Sequence, residues 1–521
     1  MSTLDKSTPG GSAHTETLKK THTKLKHNAL NFWEVSAHAV ALISPSMTAA
    51  LIVPLMFATA GTAGWLCYLF GTVMLLFVAL NLNQFARRRT SAGSMYEYTV
   101  QGLGPKLGGI SGWSLIFAYL FIGIAGVTGF THFASMLLTQ AGATGYLSHP
   151  WITLFLICVT CCWFLAYKDI TLSALMMLAM EGVSVLVITI LGVYALCKTG
   201  FWDSTQVFCF KGMTFHDSMA ALGLGVVVAI FSGVGFECAT AFGEEAKKPL
   251  VTIPRAVIAS LLLTGTFFIF VTYTETHALA NNNPTLDQLT APLTTLSENL
   301  GMKWMGIVIE CGAMVSFFAL ALSCMNSGSR IIFSMGRYGI FPVSIGSSHK
   351  HNLTPHMAIT SFAIVQFLIP TIFMLAVYAG ATNALAIGVP LDEFNDAGLF
   401  GAMGFCGAYV LISLATPFYL KKIGEAKAYH WFLSGMALLL LIVPIVGTVY
   451  PAPSYPCNYF AYIYGAYLVG GIILVLMRSR NMSEMTQIRK VLDETAAMPA
   501  MSSGAKQSDD SSDEMPHAAM A

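Results

Sequence analysis

The chain predicts an all-helical integral membrane protein, because apolar runs near or above the roughly 20 residues that cross a bilayer recur about twelve times along it. Three observations carry that expectation. Only 10% of the 521 residues are charged and 55% are hydrophobic, against about 25% charged in a typical soluble domain. The basic residues fall almost wholly in alternate connections between the runs. Two runs are interrupted, and the interruptions occupy matching places in the two halves of the chain.

In order, the expected spans are 33–60, 65–85, 109–138, 151–167, 170–196, 220–241, 251–273, 304–335, 357–378, 397–420, 431–450 and 459–477. The segment before them, 1–31, is a polar tail without the apolar core and small-residue site of a cleaved signal peptide, so span one directs insertion itself. With that tail in the cytoplasm, every one of the 27 Lys and Arg except Lys198, Lys211 and Lys303 falls on the inside, including Arg87-Arg88-Arg89, Lys247-Lys248 and Lys421-Lys422. Both termini are thus expected in the cytoplasm of a multi-pass plasma-membrane protein. No Asn-x-Ser/Thr acceptor lies in an outer loop, which suits a bacterial inner membrane. Most of the 8 Trp sit at span ends, as an interfacial belt requires.

Net charge is +1, so nothing points to a nucleic-acid partner. The 11 Cys are scattered and Cys161-Cys162 lacks zinc-site spacing, so no metal is expected. Cys197 and Cys209 fall in or beside one outer loop, where a disulfide and two unpaired thiols are both open readings. The tail 482–521, rich in Ser, Asp, Met and Ala, reads as disordered.

Span one breaks at Ser44-Pro45-Ser46-Met47 and span six at Ser232-Gly233-Val234-Gly235-Phe236-Glu237. Proline removes a donor and glycines weaken a helix interior. At membrane depth such backbone is tolerated only where protein or a polar cavity satisfies it, and a matched pair of broken spans marks a transporter's binding site. A half-helix starting near Ser46 offers N–H groups and a positive dipole to a carboxylate, with the Ser44 and Ser46 hydroxyls as further donors. The bland alternative is a proline kink with serines bonded back to their own helix. Unwinding at Gly233 and Gly235 frees the carbonyls of Ser232 to Val234 for an ammonium group; close helix packing is the alternative use of those glycines. A zwitterionic amino acid matches the two ends. Spans one to five (32–200) and six to ten (215–422) form halves of five, an odd number, so the second is inverted relative to the first. Spans eleven and twelve (430–477) lie outside that repeat.

Phe231-Ser-Gly-Val-Gly-Phe-Glu237 with Gly243-Glu-Glu-Ala-Lys-Lys-Pro249 and Ile253-Pro-Arg255 resembles the sixth-helix signature of the amino acid–polyamine–organocation permeases. Ala92-Gly-Ser-Met-Tyr-Glu-Tyr98 with Gly102-Leu-Gly-Pro105, and Ser329-Arg330 with Met335-Gly-Arg-Tyr-Gly-Ile-Phe-Pro342, resemble the same family in the same order. Span one departs from the family, carrying Ser44-Pro45-Ser46 where many members have a Gly-Ser-Gly-like break. The resemblance implies a LeuT-type fold of five plus five inverted helices with discontinuous helices 1 and 6. It also implies secondary transport of an amino acid by alternating access, coupled to a proton or a counter-substrate, with a polyamine as the in-family alternative. A sensor that binds without transporting is a rival of another class. An aromatic gate near Phe231 and Phe236 is a further implication, set against ordinary lipid-facing or core roles, with Glu237 tuning the gate.

Charges inside spans are functional candidates. Glu181 stands alone in the apolar run of span five and, by resemblance, beside the ion-coupling region; proton uptake and a structural interhelical hydrogen bond are both open for it. Glu310 and His132 read as satisfied interhelical polar groups. Sodium coupling in this fold class calls for hydroxyls on helix eight, where Ser323, Asn326 and Ser327 stand. The Glu244-Glu245 and Lys247-Lys248 cluster is either an inner latch or a solvated loop. No phosphate-binding glycine loop, His-Glu-x-x-His or nucleophile elbow is present, so no enzyme activity, cofactor or ATP coupling is expected.

Overall fold

The computed structural model describes residues 25–142, 150–168, 170–200, 215–280, 286, 289, 291–342, 344–378, 389–450 and 456–478. The C-terminal tail, most of the N-terminal one, Cys209 and Lys211 lie outside these residues. Among them the chain is helical, apart from one isolated bridge between Leu30 and Ala246.

The helices are α1 (Phe32–Ile43), α2 (Val53–Ala60), α3 (Gly64–Ala86), α4 (Met95–Leu103), α5 (Pro105–Gln140), α6 (Pro150–Lys168), α7 (Ile170–Thr199) and α8 (Phe215–Gly233). They continue as α9 (Pro249–Ala280), α10 (Pro292–Asn299), α11 (Lys303–Arg337), α12 (His356–Tyr378), α13 (Val389–Lys422), α14 (Ala428–Gly447) and α15 (Cys457–Arg478). Among the described residues, eleven segments are long and apolar enough to cross a membrane. The first, Phe32–Ala86, holds 55 residues and folds back on itself. A Cβ at Gly64 would lie 2.6 Å from Met56 Cγ, a distance closed by the reversal at Gly61, where φ is 69°. Phe32 and Arg87 accordingly line one cavity. Counting that segment as two crossings recovers the sequence expectation.

Local signals set the ends. Asn31 caps α1 through a reciprocal box, its Oδ1 accepting from the Glu34 amide at 3.0 Å while Glu34 Oε2 accepts from the Asn31 amide at 2.6 Å. Pro105 opens α5 just after Gly104, whose φ is 90°. Between α1 and α2 the chain restarts as a single turn, Pro45–Met47, then widens into a π turn, Thr48–Ile52, in which the Val53 amide donates to the Thr48 carbonyl.

Helix α5 is the centre of the bundle, wedged between α11 and α13. Glycines permit the approach: a Cβ at Gly126 would meet the Ala321 amide nitrogen at 2.8 Å, and one at Gly404 would meet the Ala118 amide nitrogen at 2.9 Å. Helix α1 lies against α7, α9 and α11, and α8 packs on α3 and α2. Of the best apolar window 72% is buried in α5 but only 17% in α15, so α15 lies on the rim and α5 in the core.

Candidate functional site

Both expected breaks are present, and they touch. Pro45 disfavours the helical region for the residue before it, and Ser44 takes φ 49°, ψ 70°, the left-handed region. Span six unwinds at Gly235, with φ 122°, and continues as a 3₁₀ stretch, Phe236–Phe242. Only glycine fits there: a Cβ would lie 2.4 Å from Leu42 Cδ2 and 3.0 Å from the Ile43 amide nitrogen. The break of span six therefore rests on the last residues before the break of span one.

At the first break the half-helix already holds a carboxylate. The Ser46 amide donates to Glu181 Oε1 at 2.9 Å, Ser316 Oγ donates to Glu181 Oε2, and Ser44 Oγ lies 2.8 Å from Ser316 Oγ. The Met47 and Thr48 amides donate to the Ser44 carbonyl at 3.0 and 3.4 Å. Every amide donor from Ser46 to Thr48 thus has an acceptor inside the protein. Ser44, Pro45, Ser46 and Met47 are all buried, as is Glu181. Glu181 is the carboxylate that a helix N-terminus attracts.

At the second break Glu237 is the focus. Its Oε2 accepts from the Gly235 amide at 3.0 Å and the Tyr409 hydroxyl at 2.7 Å, and its Oε1 accepts from the Tyr119 hydroxyl at 3.3 Å. Phe236 stacks on Tyr409 with centroids 5.6 Å apart and so holds that hydroxyl in place. The Cys238 amide donates to the Gly235 carbonyl at 3.0 Å, leaving the Val234 carbonyl without its usual i+4 donor. Ser232 Oγ is 2.9 Å from the Tyr68 hydroxyl, and Gly233 faces Leu75, where a Cβ would lie 2.6 Å from Cδ1.

Two packed clusters lie about the breaks along α11. On one side Phe231 meets Phe394 at 5.7 Å, Phe394 meets Phe317 at 5.4 Å, and a Cβ at Gly398 would be 1.9 Å from Phe231 Cζ. On the other, Arg330 Nε and Nη2 donate to Glu245 at 2.6 and 3.0 Å, both residues being buried. The Phe242 ring lies between the His38 imidazole at 4.2 Å and the Arg330 guanidinium at 4.7 Å. Arg337 pairs with Glu244 at 3.0 Å, and the Ala29 and Leu30 amides donate to the Glu245 carbonyl at 2.8 and 3.0 Å. Phe317 and Arg330 are 13 residues apart on α11, about 20 Å at 1.5 Å per residue. Ser323, between them, donates to the His38 carbonyl at 2.8 Å.

Span-internal charges divide between the site and its surroundings. Glu181 and Glu237 stand at the breaks. Glu310 is remote from both, accepting from Gln140 Nε2 at 2.8 Å and Thr294 Oγ1 at 3.0 Å. His132 stays inside α5, edge-on to Phe133. Glu244 and Glu245 pair with arginines of α11, while Lys247 and Lys248 are exposed. Sequence reading passed over Tyr119, Tyr409 and Ser316, ordinary residues in long apolar helices. It also passed over the role of Arg330 and the buried Glu275 of α9, whose carboxyl has no hydrogen-bond partner among the described residues. A charge within an apolar run was the available signal for both.

Comparison with known proteins places this geometry in a family. Residues 40–478 match the amino acid permease family. The chain is 26% identical to the branched-chain amino acid permease BcaP of Bacillus subtilis, over 70% of this chain and 75% of that protein. It is 26% identical to the low-affinity putrescine importer PlaP of Escherichia coli, over 68% and 73%, and 22% identical to the methylthioribose transporter of Bacillus subtilis, over 71% and 76%. These relatives are transporters and not enzymes. With its helical bundle, two touching helix breaks and a match spanning nearly all its membrane segments, the chain belongs to the amino acid permease family.

Proposed function

We propose that the protein is a proton-coupled transporter of a small α-amino acid, which binds between the two breaks and crosses by alternating access. The observation that carries this reading is the occupied N-terminus at Ser46. Glu181 sits where a substrate carboxylate would be expected, so substrate and ionised Glu181 compete for one amide and one positive dipole. Protonation of Glu181 removes the competing charge and admits the substrate carboxylate beside Ser44, Pro45, Ser46 and Met47. The substrate ammonium is then received by the Val234 carbonyl, the neighbouring Ser232 and Gly233 backbone, and Glu237. Loading of a proton and loading of substrate thereby become one event.

In this scheme Phe231 with Phe394 forms one gate and Arg330 with Glu245 the other; Phe236 and Glu237 report occupancy between them. Ser323, bonded to the α1 carbonyl of His38, ties the moving half-helix to α11. The halves 32–200 and 215–422 are the bodies that rock, and the basic-residue asymmetry supports cytoplasmic termini. Substrate must favour the state in which both gates are shut, since a ligand shifts an equilibrium only by its differential affinity.

A diamine is the second reading, supported by the same contact. A substrate without a carboxylate leaves Glu181 on Ser46 and uses Glu237 alone, and one relative is named as a putrescine importer. Uptake into proteoliposomes of labelled amino acids and polyamines, with and without an inward proton gradient, tests both. Gradient-driven accumulation of an amino acid supports the first reading. Polyamine uptake insensitive to Glu181→Gln supports the second. Flux only into preloaded vesicles makes the protein an exchanger, and binding without flux makes it a sensor.

A further inference from the structure

A cavity of about 590 Å³ opens at the face where α1 begins, α3 ends and α9 begins. Its walls include Phe32, Arg87, Leu250, Val251, Pro254 and Arg255. Arg87, capping the end of α3, and Arg255, on α9, are exposed, and neither side chain makes a hydrogen bond or ion pair among the described residues. The acidic groups nearby are engaged elsewhere: Glu34 caps α1, and Glu425 pairs with Arg88 at 2.7 Å. Lys247, Lys248 and Arg89, each within three residues of a lining residue along the chain, are exposed and add positive charge. Below the arginines the surface turns apolar, with Leu250 44%, Val251 46% and the neighbouring Trp33 66% exposed.

We propose that this cavity binds the headgroup of an anionic phospholipid. Two unpaired guanidinium groups present forked donors suited to a phosphate. The aliphatic wall continuing into the membrane-spanning part of α9 suits the acyl chains, and a freely dissolved anion would have no use for it. Basic pockets between membrane helices are recognised sites for such headgroups. The bound phosphate bridges α3 to α9, which are already joined by the Asn83 Nδ2 bond to the Pro254 carbonyl at 3.2 Å. It does so beneath Phe32, the first residue of the half-helix that must move for the site to open.

The test is native mass spectrometry of the full chain in detergent, titrated with phosphatidylglycerol or phosphatidylcholine. The intact protein is expected to retain phosphatidylglycerol in preference to phosphatidylcholine. Arg87→Gln and Arg255→Gln should each weaken retention about fivefold, and the double variant roughly tenfold or more. Arg89→Gln, exposed two residues from Arg87 but outside the cavity wall, should leave retention unchanged. An equal loss with Arg89→Gln would overturn the site in favour of diffuse surface attraction, as would equal retention of the two lipids. Soluble glycerol phosphate is the arm that separates sources: displacement of phosphatidylglycerol by it at millimolar concentration would make this a free-phosphate site and overturn the lipid proposal.

Discussion

Glu181 and Ser46 meet across two helices, the carboxylate of α7 closing the amide end that the break in span one exposes, at 2.9 Å. The protein thus carries within it a group chemically equivalent to one end of its proposed substrate.

Glu181→Gln keeps a carbonyl acceptor for the Ser46 amide and removes the titratable charge. The pH dependence of uptake should flatten while equilibrium substrate binding persists. An unchanged pH profile would take Glu181 out of the coupling step.

Gly235→Ala should abolish transport without preventing membrane insertion. The variant forces a side chain into φ 122° and against Leu42, with a strain of about 1–3 kcal/mol. Gly235→Trp should have the same effect. Uptake at the normal rate in either variant would show that the close contact of the breaks is dispensable.

The two tyrosines on Glu237 should differ. Tyr409→Phe removes the 2.7 Å bond and Tyr119→Phe the 3.3 Å one. A hydrogen bond to a charged group is worth about 1.5–3 kcal/mol, so the half-saturating substrate concentration should rise roughly tenfold for Tyr409→Phe and less for Tyr119→Phe. The reverse order would mean that Glu237 does not face the substrate through Tyr409.

Arg330→Met strands a buried carboxylate, at a cost of about 3–5 kcal/mol, and should open the seal it forms with Glu245. Buried Cys238, on the 3₁₀ stretch, then becomes reactive to maleimide, read by peptide mapping. Combining Arg330→Met with Glu245→Met should restore much of the lost stability but not the gating.

On the opposite side, Gly398→Ala drives a methyl group into Phe231 and should cost about 1–3 kcal/mol of packing. Thermal unfolding in detergent should drop accordingly, and substrate should exchange faster from that side. Unchanged stability would mean that Phe231 can withdraw freely.

How much of this was legible in the sequence follows from what each signal encodes. Spans are lengths of apolar composition, which a single chain displays directly, so their number and order emerged intact. The breaks were legible because Pro45 and Gly235 act on their own backbone. The pairing of Glu181 with Ser46, 135 residues apart, was not, since nothing local specifies which helix end a lone carboxyl will reach. The latch shows the same limit. Charge along the chain grouped Glu244 and Glu245 with Lys247 and Lys248 as a latch or a solvated loop, and could not show that Arg330 and Arg337 from α11 pair with the glutamates. Tyr119 and Tyr409 gave no warning, because a tyrosine in an apolar helix is ordinary until its hydroxyl is seen to point at a charge.

The wide turn at Thr48–Ile52 has a geometric corollary for the second half of span one. Pro54 has no amide proton for the carbonyl of Ala50, and the helix there takes up one surplus residue, with Val53 bonding back to Thr48. Each residue turns an α-helix by about 100°. Deleting a single residue from 48–52 would therefore regularise the helix and leave Ser44-Pro45-Ser46 facing nearly as before relative to α2, because the wide turn already absorbs the surplus residue. The surplus residue is instead a movable slack: migration of the wide turn along the helix would rotate by about 100° each residue it passes, without breaking the span.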